Sequence, residues 1–306
     1  MWHGGVGGQA GAIHGAGGGV AVPDVYVSWD GFRWFISEPW HTEVLGKAEI
    51  GVLRTLYSLA REDYTFVDVG AGLGYYAVRM SKRVKRVHAF EPNPSVRRIL
   101  SRNLELNGCE NVKVWPVALG VGRGALELHI DKLSSSLLPR RGAESSVAVE
   151  VVSMDELFIT PNIIKIDVEG YELEVLRGAE GTLKLCAPYV LVEHHDFRPD
   201  WAEQCKGLYE KCEALMARLG YVPLVITDVH RLWVPKVALL SKRMDELKYA
   251  LWRHYVNLCF KNLQEGRAWY HGLPKTWWWG MCLVDFIEEL PEHIEKEADW
   301  AEAVIE

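Results

Sequence analysis

The sequence predicts an open α/β fold built on a doubly wound, mostly parallel sheet, and three observations carry that expectation. From Thr65 onward, short runs rich in Val and Ile alternate with amphipathic helical segments. The runs are apolar on both faces, as parallel strands covered by helices must be. One of them turns on glycines straight into a helix: Phe66-Val67-Asp68-Val69-Gly70-Ala71-Gly72-Leu73-Gly74.

Residues 1–20 are dominated by Gly, Ala and His, which bury too little to offset the entropy of ordering, and a flexible tail is expected there. Residues 21–62 read as a hairpin and a helix. Val25, Val27 and Trp29 alternate before Asp30-Gly31, and Phe32, Trp34 and Ile36 after it, which is a hairpin pattern. The helix is expected from about Glu43 to Ala60. Residues 63–240 form the sheet domain, with strands expected at Thr65–Val69, Arg86–Glu91, Val112–Val117, Ile163–Asp167 and Tyr189–His194. Asn93-Pro94-Ser95 opens a helix that Asn107-Gly108 closes. Ala125–Ile130 and Val147–Val152 read as extra strands, joined by a loop carrying Ser134-Ser135-Ser136. Trp201, Cys205, Leu208, Cys212, Leu215 and Leu219 are spaced as one helical face, ended by Gly220. Tyr221–Ile226 and Leu232–Leu240 finish the sheet. Residues 241–306 form a Trp-rich, acidic helical extension, with helices expected from about Lys242 to Leu263 and from Glu288.

A hydrophobic content of 49% is that of a chain with a substantial core, and a formal net charge of -7 argues against a nucleic-acid partner. A basic cluster at Arg79, Lys82, Arg83, Lys85 and Arg86 reads as a solvated helix end. Six cysteines without C-x-x-C spacing fit a reducing, cytoplasmic setting. No run reaches 18 apolar residues, so no membrane span is expected.

Three constellations carry chemistry. In the first, Gly70, Gly72 and Gly74 let the backbone turn and approach a ligand, while the following helix presents its free N–H groups. Glu91 comes 23 residues after Asp68, at the end of the next strand, where its two oxygens would accept a ribose's hydroxyls. The spacing G-x-G-x-G behind Asp68 points to S-adenosylmethionine rather than a dinucleotide, whose pyrophosphate wants G-x-G-x-x-G. Asp68 would hold that ligand's ammonium. Ala71, Pro92 and Ala118 complete the expected cofactor wall. The bland alternatives are a helix-capping Glu91 and an Asp68 that satisfies the turn's amides.

The second constellation is Lys165-Ile166-Asp167-Val168-Glu169, which places charge at the carboxyl end of a central strand. Asp167 is a candidate base, and Lys165 and Glu169 are candidate acceptor contacts. A structural Lys165–Asp167 pair is the alternative. The third is Glu193-His194-His195-Asp196. Neighbouring histidines on a strand face opposite ways, so one of the two is expected to reach the site; His194 is the first choice of base and His195 the reserve. A divalent metal could sit among Asp167, Glu169 and the histidines, but no motif of fixed metal spacing is present and none is expected.

Taken in order, these segments resemble the FkbM family of S-adenosylmethionine-dependent methyltransferases. The resemblance runs from about Thr65 to His195. It includes Ala89-Phe90-Glu91-Pro92-Asn93-Pro94, Arg102-Asn103-Leu104-Glu105-Leu106-Asn107-Gly108, Ser153-Met154-Asp155-Glu156-Leu157, Ile164 to Ala179, and Val192-Glu193-His194. It implies a Rossmann-like, class I methyltransferase sheet of seven strands with the last antiparallel. It further implies methyl transfer to a hydroxyl of a small molecule or sugar, release of S-adenosylhomocysteine, and cofactor contacts from Asp68, Gly70, Gly72 and Glu91. Val117-Ala118 offers an apolar wall where many methyltransferases place an acid for adenine. Two rival functions are methylation of an RNA ribose 2′-hydroxyl and a non-catalytic binding module on the same fold. Trp269 and Trp277–Trp279 have three candidate roles: a sugar-stacking lid, a homo-oligomer interface, or packing of the extension on the core.

Overall fold

The computed structural model describes residues 24–38, 41, 45, 49–130, 135–138, 145–195, 205–227 and 229–239. The Gly-rich tail, Trp201 and everything expected beyond residue 239 lie outside the described residues.

Seven strands form one sheet. In chain order they are β3 (Thr65–Val69), β4 (Arg86–Phe90), β5 (Val112–Trp115), β10 (Ile163–Ile166), β11 (Tyr189–Glu193), β12 (Tyr221–Val225) and β13 (His230–Pro235). Their spatial order is β12-β13-β11-β10-β3-β4-β5, with β13 antiparallel to both of its neighbours and the remaining pairs parallel. The order reverses between β3 and β10, and the crevice at such a reversal is where open α/β sheets bind ligands. Before this sheet, β1 (Asp24–Val27) and β2 (Arg33–Ile36) make the expected hairpin. A second, four-stranded sheet holds β6 (Ala118–Leu119), β7 (Gly124–Ile130), β8 (Ser135–Ser136) and β9 (Ser145–Val152).

Successive residues of the central strands enter different cores. Phe66, Val87, Ile163 and Leu191 pack with residues of α1 (Ile50–Leu59), α2 (Tyr75–Met80) and α3 (Pro94–Leu106). Val67, Val69, Ile164, Ile166 and Val190 pack with α4 (Glu172–Arg177), α5 (Glu180–Cys186) and α6 (Leu208–Arg218). α3 starts as its sequence dictates: the Asn93 side chain accepts from the Ser95 and Val96 N–H groups, with Pro94 in the first turn.

Several elements depart from expectation for local reasons. β5 stops at Trp115 because Pro116 has no N–H for the ladder, and Ala118–Leu119 joins the second sheet instead. The last strand covers His230–Pro235, and the chain then turns into α7 (Lys236–Leu239). Of the helix expected from Glu43 to Ala60, the described part is Ile50–Leu59, preceded by Glu49 with a left-handed φ of 51°. Its carboxylate turns inward there and accepts a hydrogen bond from the Tyr76 hydroxyl. α6 begins only at Leu208, after Gly207.

Lys82, Arg83, Lys85 and Arg86 are exposed as expected, whereas Arg79 departs from the reading of its cluster as a solvated helix end. Its side chain is 0% exposed, and its Nε donates to Asp30 Oδ2 at 2.6 Å. Its guanidinium lies over the rings of Tyr75, Trp34 and Phe32, at 4.1, 4.8 and 5.5 Å from their centroids. Stacking plus a carboxylate makes burial of this cation tolerable and locks the hairpin loop onto α2. Asp30→Ala leaves the charge buried and uncompensated, so a loss of about 3 kcal/mol is expected in urea unfolding at pH 7.

Candidate active site

The glycine turn between β3 and α2 is shaped first by its own chain. Gly70 has φ +82°, and a Cβ there would stand 1.8 Å from the Asp167 carbonyl oxygen. The turn after β3 and the turn after β10 therefore touch backbone to backbone. Gly72, with φ +54°, meets nothing closer than 4.0 Å and leaves its face open. Gly74 starts α2, and a Cβ there would strike Leu100.

Beside this turn lies a narrow, partly solvent-open pocket of about 50 Å³. Gly70, Glu91, Pro92 and Ala118 line it, together with Phe90, Val117, Leu119, Ser135 and Asp167. Of the expected cofactor residues, Asp68, Ala71, Gly72 and Gly74 are not among its lining. Glu91 spans two backbone donors: its Oε2 accepts from Gly72 N at 2.9 Å and its Oε1 from Asn93 N at 2.8 Å. Burial pushes its carboxyl up to about 7 against the pull of those two amides. Each oxygen keeps a second lone pair for an incoming donor.

Asp68 lies behind the pocket, 1% exposed, in register with Lys165 on the neighbouring strand. Neither carboxylate oxygen makes a well-formed hydrogen bond, although the Ala77 N–H lies close enough to pull its pKa down. Burial raises its carboxyl to about 7 despite Lys165. Lys165, also 1% exposed, donates to Asp167 Oδ2 at 2.7 Å and lies over the Tyr76 ring. Burial alone would lower its pKa, but Asp167, Glu49, Glu193 and Asp68 together hold it above the usual range.

The two histidines separate as strand alternation requires, but the roles are exchanged. His194 stays with the opposite core, edge-on to Tyr209 at 4.8 Å, and burial lowers it to about 3. His195 is the one brought to the carboxylates. Its Nδ1 sits 2.9 Å from Glu172 Oε1, while its Nε2 faces Glu169 and Glu193 at 3.5 Å and Asp167 at 3.7 Å. Burial would lower His195, but the Glu172 bond and the Asp167 and Glu169 charges raise it to about 9. At neutral pH it is an imidazolium and cannot take a proton. Glu193 extends the group to His230, whose Nε2 lies 3.3 Å from its Oε2 and 3.6 Å from Glu49 Oε1. Glu49, Glu172 and His230 were not singled out in the sequence. Glu172 falls within the FkbM-like segment, whereas Glu49 and His230 come from distant stretches without a motif.

A reversal of strand order, a glycine turn and a pocket-lining acid at the end of the second parallel strand define a Rossmann-like methyltransferase architecture. The methyltransferase FkbM domain family matches residues 68–223, and the chain belongs to it. It is similar to the hexuronic acid methyltransferase AglP of Haloferax volcanii, 32% identical over 52% of this chain and 67% of that one. Methyltransferase sdnD of Sordaria araneosa is 27% identical over 55% of this chain and 76% of its own length. Among solved structures, methyltransferase FkbM from Methylobacillus flagellatus KT matches with 17% identity and a TM-score of 0.40, covering 58% of this chain and 47% of that one. The chain thus spans about half of that structure. The protein is a methyltransferase by family. Among the described residues, no helix is long and apolar enough to cross a membrane.

The Asp68 environment gives a measurable pH signature. The folded protein holds this proton to about pH 7, whereas an unfolded chain releases it near pH 4. Between those values unfolding releases the proton, so the stability that wild type owes to Asp68 falls as pH rises. The slope is at most about 1.4 kcal/mol per pH unit, and the effect levels off above pH 7. In urea unfolding from pH 4 to 8, Asp68→Asn should therefore gain on wild type up to about pH 7 and hold that gain above it.

Proposed function

We propose that the chain transfers a methyl group from S-adenosylmethionine to a hydroxyl oxygen of a small molecule or sugar. The observation that carries this reading is the orphaned, buried Asp68 carboxylate behind a glycine turn whose middle residue is open. A buried acid without a hydrogen bond is costly, and an ammonium is the partner that relieves it. Glu91 accepts the ribose hydroxyls on its remaining lone pairs, and Val117, Ala118 and Leu119 supply an apolar wall for the adenine. The bound donor supplies an electrophilic methyl group with its leaving group already in place.

The chain's own task is then to hold an oxygen in line and keep water out. Asp167 lines the pocket and belongs to the charged group, so it is the side chain that meets both donor and acceptor. Its carboxylate accepts the hydroxyl proton as the bond forms. Lys165 anchors one Asp167 oxygen, leaving the other for the acceptor. Glu169 and the His195 imidazolium orient acceptor hydroxyls. The similarity to a hexuronic acid methyltransferase favours a saccharide acid or a related polyol as acceptor.

Two outcomes test this reading. Wild type should bind S-adenosylmethionine and S-adenosylhomocysteine in calorimetry, and Gly72→Ala should weaken both by about tenfold or more at a stability cost of about 1–2 kcal/mol, since its backbone is left-handed. Gly70→Ala should instead fail to fold. With a hexuronic acid as acceptor, Asp167→Asn should lower kcat by about 100-fold while donor affinity changes little. No donor binding by folded wild type would end the proposal.

A further inference from the structure

We infer that Arg97 is a positioning residue of the donor site, holding the Glu91-Pro92 segment so that the Glu91 carboxylate stands where a ribose meets it. The inference rests on the methyl-transfer reading given above and deepens it, since it assigns a role to a side chain outside the pocket. Arg97 Nη1 donates to the carbonyl oxygens of both Glu91 and Pro92, each at 2.9 Å. Glu91 and Pro92 line the pocket, and Arg97 is not among its lining.

The segment needs such a donor because of its own sequence. Glu91-Pro92-Asn93-Pro94 contains two prolines, so only Glu91 and Asn93 carry a backbone N–H. Glu91 N donates to the Trp115 carbonyl at 3.1 Å, and Asn93 N donates to the Glu91 carboxylate at 2.8 Å. β4 ends at Phe90, so the carbonyls of Glu91 and Pro92 lie beyond its ladder. One guanidinium nitrogen, reaching back from the start of α3, takes both. A cation at that end of a helix opposes the macrodipole, so the favourable contact of Arg97 is with the segment and not with its own helix.

The consequence falls on the carboxylate. Glu91 Oε2 accepts from Gly72 N and Oε1 from Asn93 N, so this side chain ties the glycine turn to the segment that Arg97 holds. If the segment slips, the carboxylate slips with it, and a misplacement of about 1 Å costs a positioned contact heavily. Arg97 also acts by charge. Burial pushes the Glu91 carboxyl up to about 7, the Asn93 and Gly72 amides and then Arg97 pull it down, and Asp68 on β3 pushes it up again. Arg97 from α3 and Asp68 from β3 are the charged groups that bear on it. Without the guanidinium, more of Glu91 is protonated near neutral pH, and a protonated carboxyl has less capacity to accept ribose hydroxyls.

The test is calorimetric titration of the full chain with S-adenosylhomocysteine from about pH 6 to about pH 8.5. At the upper end, Arg97→Met should weaken binding about tenfold. The decline of affinity toward acid should also begin roughly half a pH unit higher than in wild type. Glu91→Gln weakens binding by itself, and adding Arg97→Met to it should cost less than about twofold more. An arginine with a merely structural role would cost the same in both backgrounds and leave the pH profile in place. Arg97→Gln, which also removes the charge, takes the place of Arg97→Met if that variant does not fold by circular dichroism. Binding within about twofold of wild type, an unmoved pH profile, or an equal loss with Glu91→Gln already in place would each overturn the proposal while leaving the donor reading intact. Wild type that binds no S-adenosylhomocysteine would end the donor reading and this role with it.

Discussion

A lysine ammonium at 1% exposure inside a central strand is tolerable only when anions surround it, and the site is organised around that requirement. Lys165 binds Asp167 directly and is held charged by Glu49, Glu193 and Asp68. These acids arrive from the segment before α1, from β3, and from the ends of β10 and β11. Without a fixed cation in their midst, so many acids would protonate or spread apart. Replacing Lys165 by an apolar residue would therefore disturb several elements at once. The cost would not be that of one lost pair.

Placement of the chemistry follows from the sheet. The strand order reverses between β3 and β10, and the turns leaving those two strands are in backbone contact through Gly70 and the Asp167 carbonyl. That contact sets the pocket and the charged group side by side, with Asp167 belonging to both. The second sheet contributes to one wall: Ser136 donates to the Glu169 carbonyl, and Ser135 and Leu137 border the pocket. Glu169 itself is held in a left-handed conformation, with φ 58°.

Much of this was legible in the chain. β3 matches its expected bounds residue for residue, because five apolar-framed positions end in a glycine turn that can be nothing else. The hairpin at Asp30-Gly31 and the Asn93 cap were equally clear, since each rests on chemistry local to a few residues. Interactions across long separations were not. Arg79 read as a surface charge because the aromatics that enclose it lie more than forty residues earlier or are its own helix neighbours. His194 and His195 could be assigned to opposite faces but not to the right ones, as alternation gives parity without an origin. Glu49 and His230 carry no motif, and only the closing of the sheet brings them to Glu193.

The Arg79 clamp bears on where this protein can be cut. Family similarity begins at residue 68, yet Asp30, Phe32 and Trp34 enclose a guanidinium that belongs to the helix following the glycine turn. A truncation made at the border of similarity would strip that cation of its shelter and expose the aromatic face beneath. The folded unit therefore extends upstream of the recognisable one to include the hairpin, and an expression boundary or fusion joint belongs ahead of Asp24.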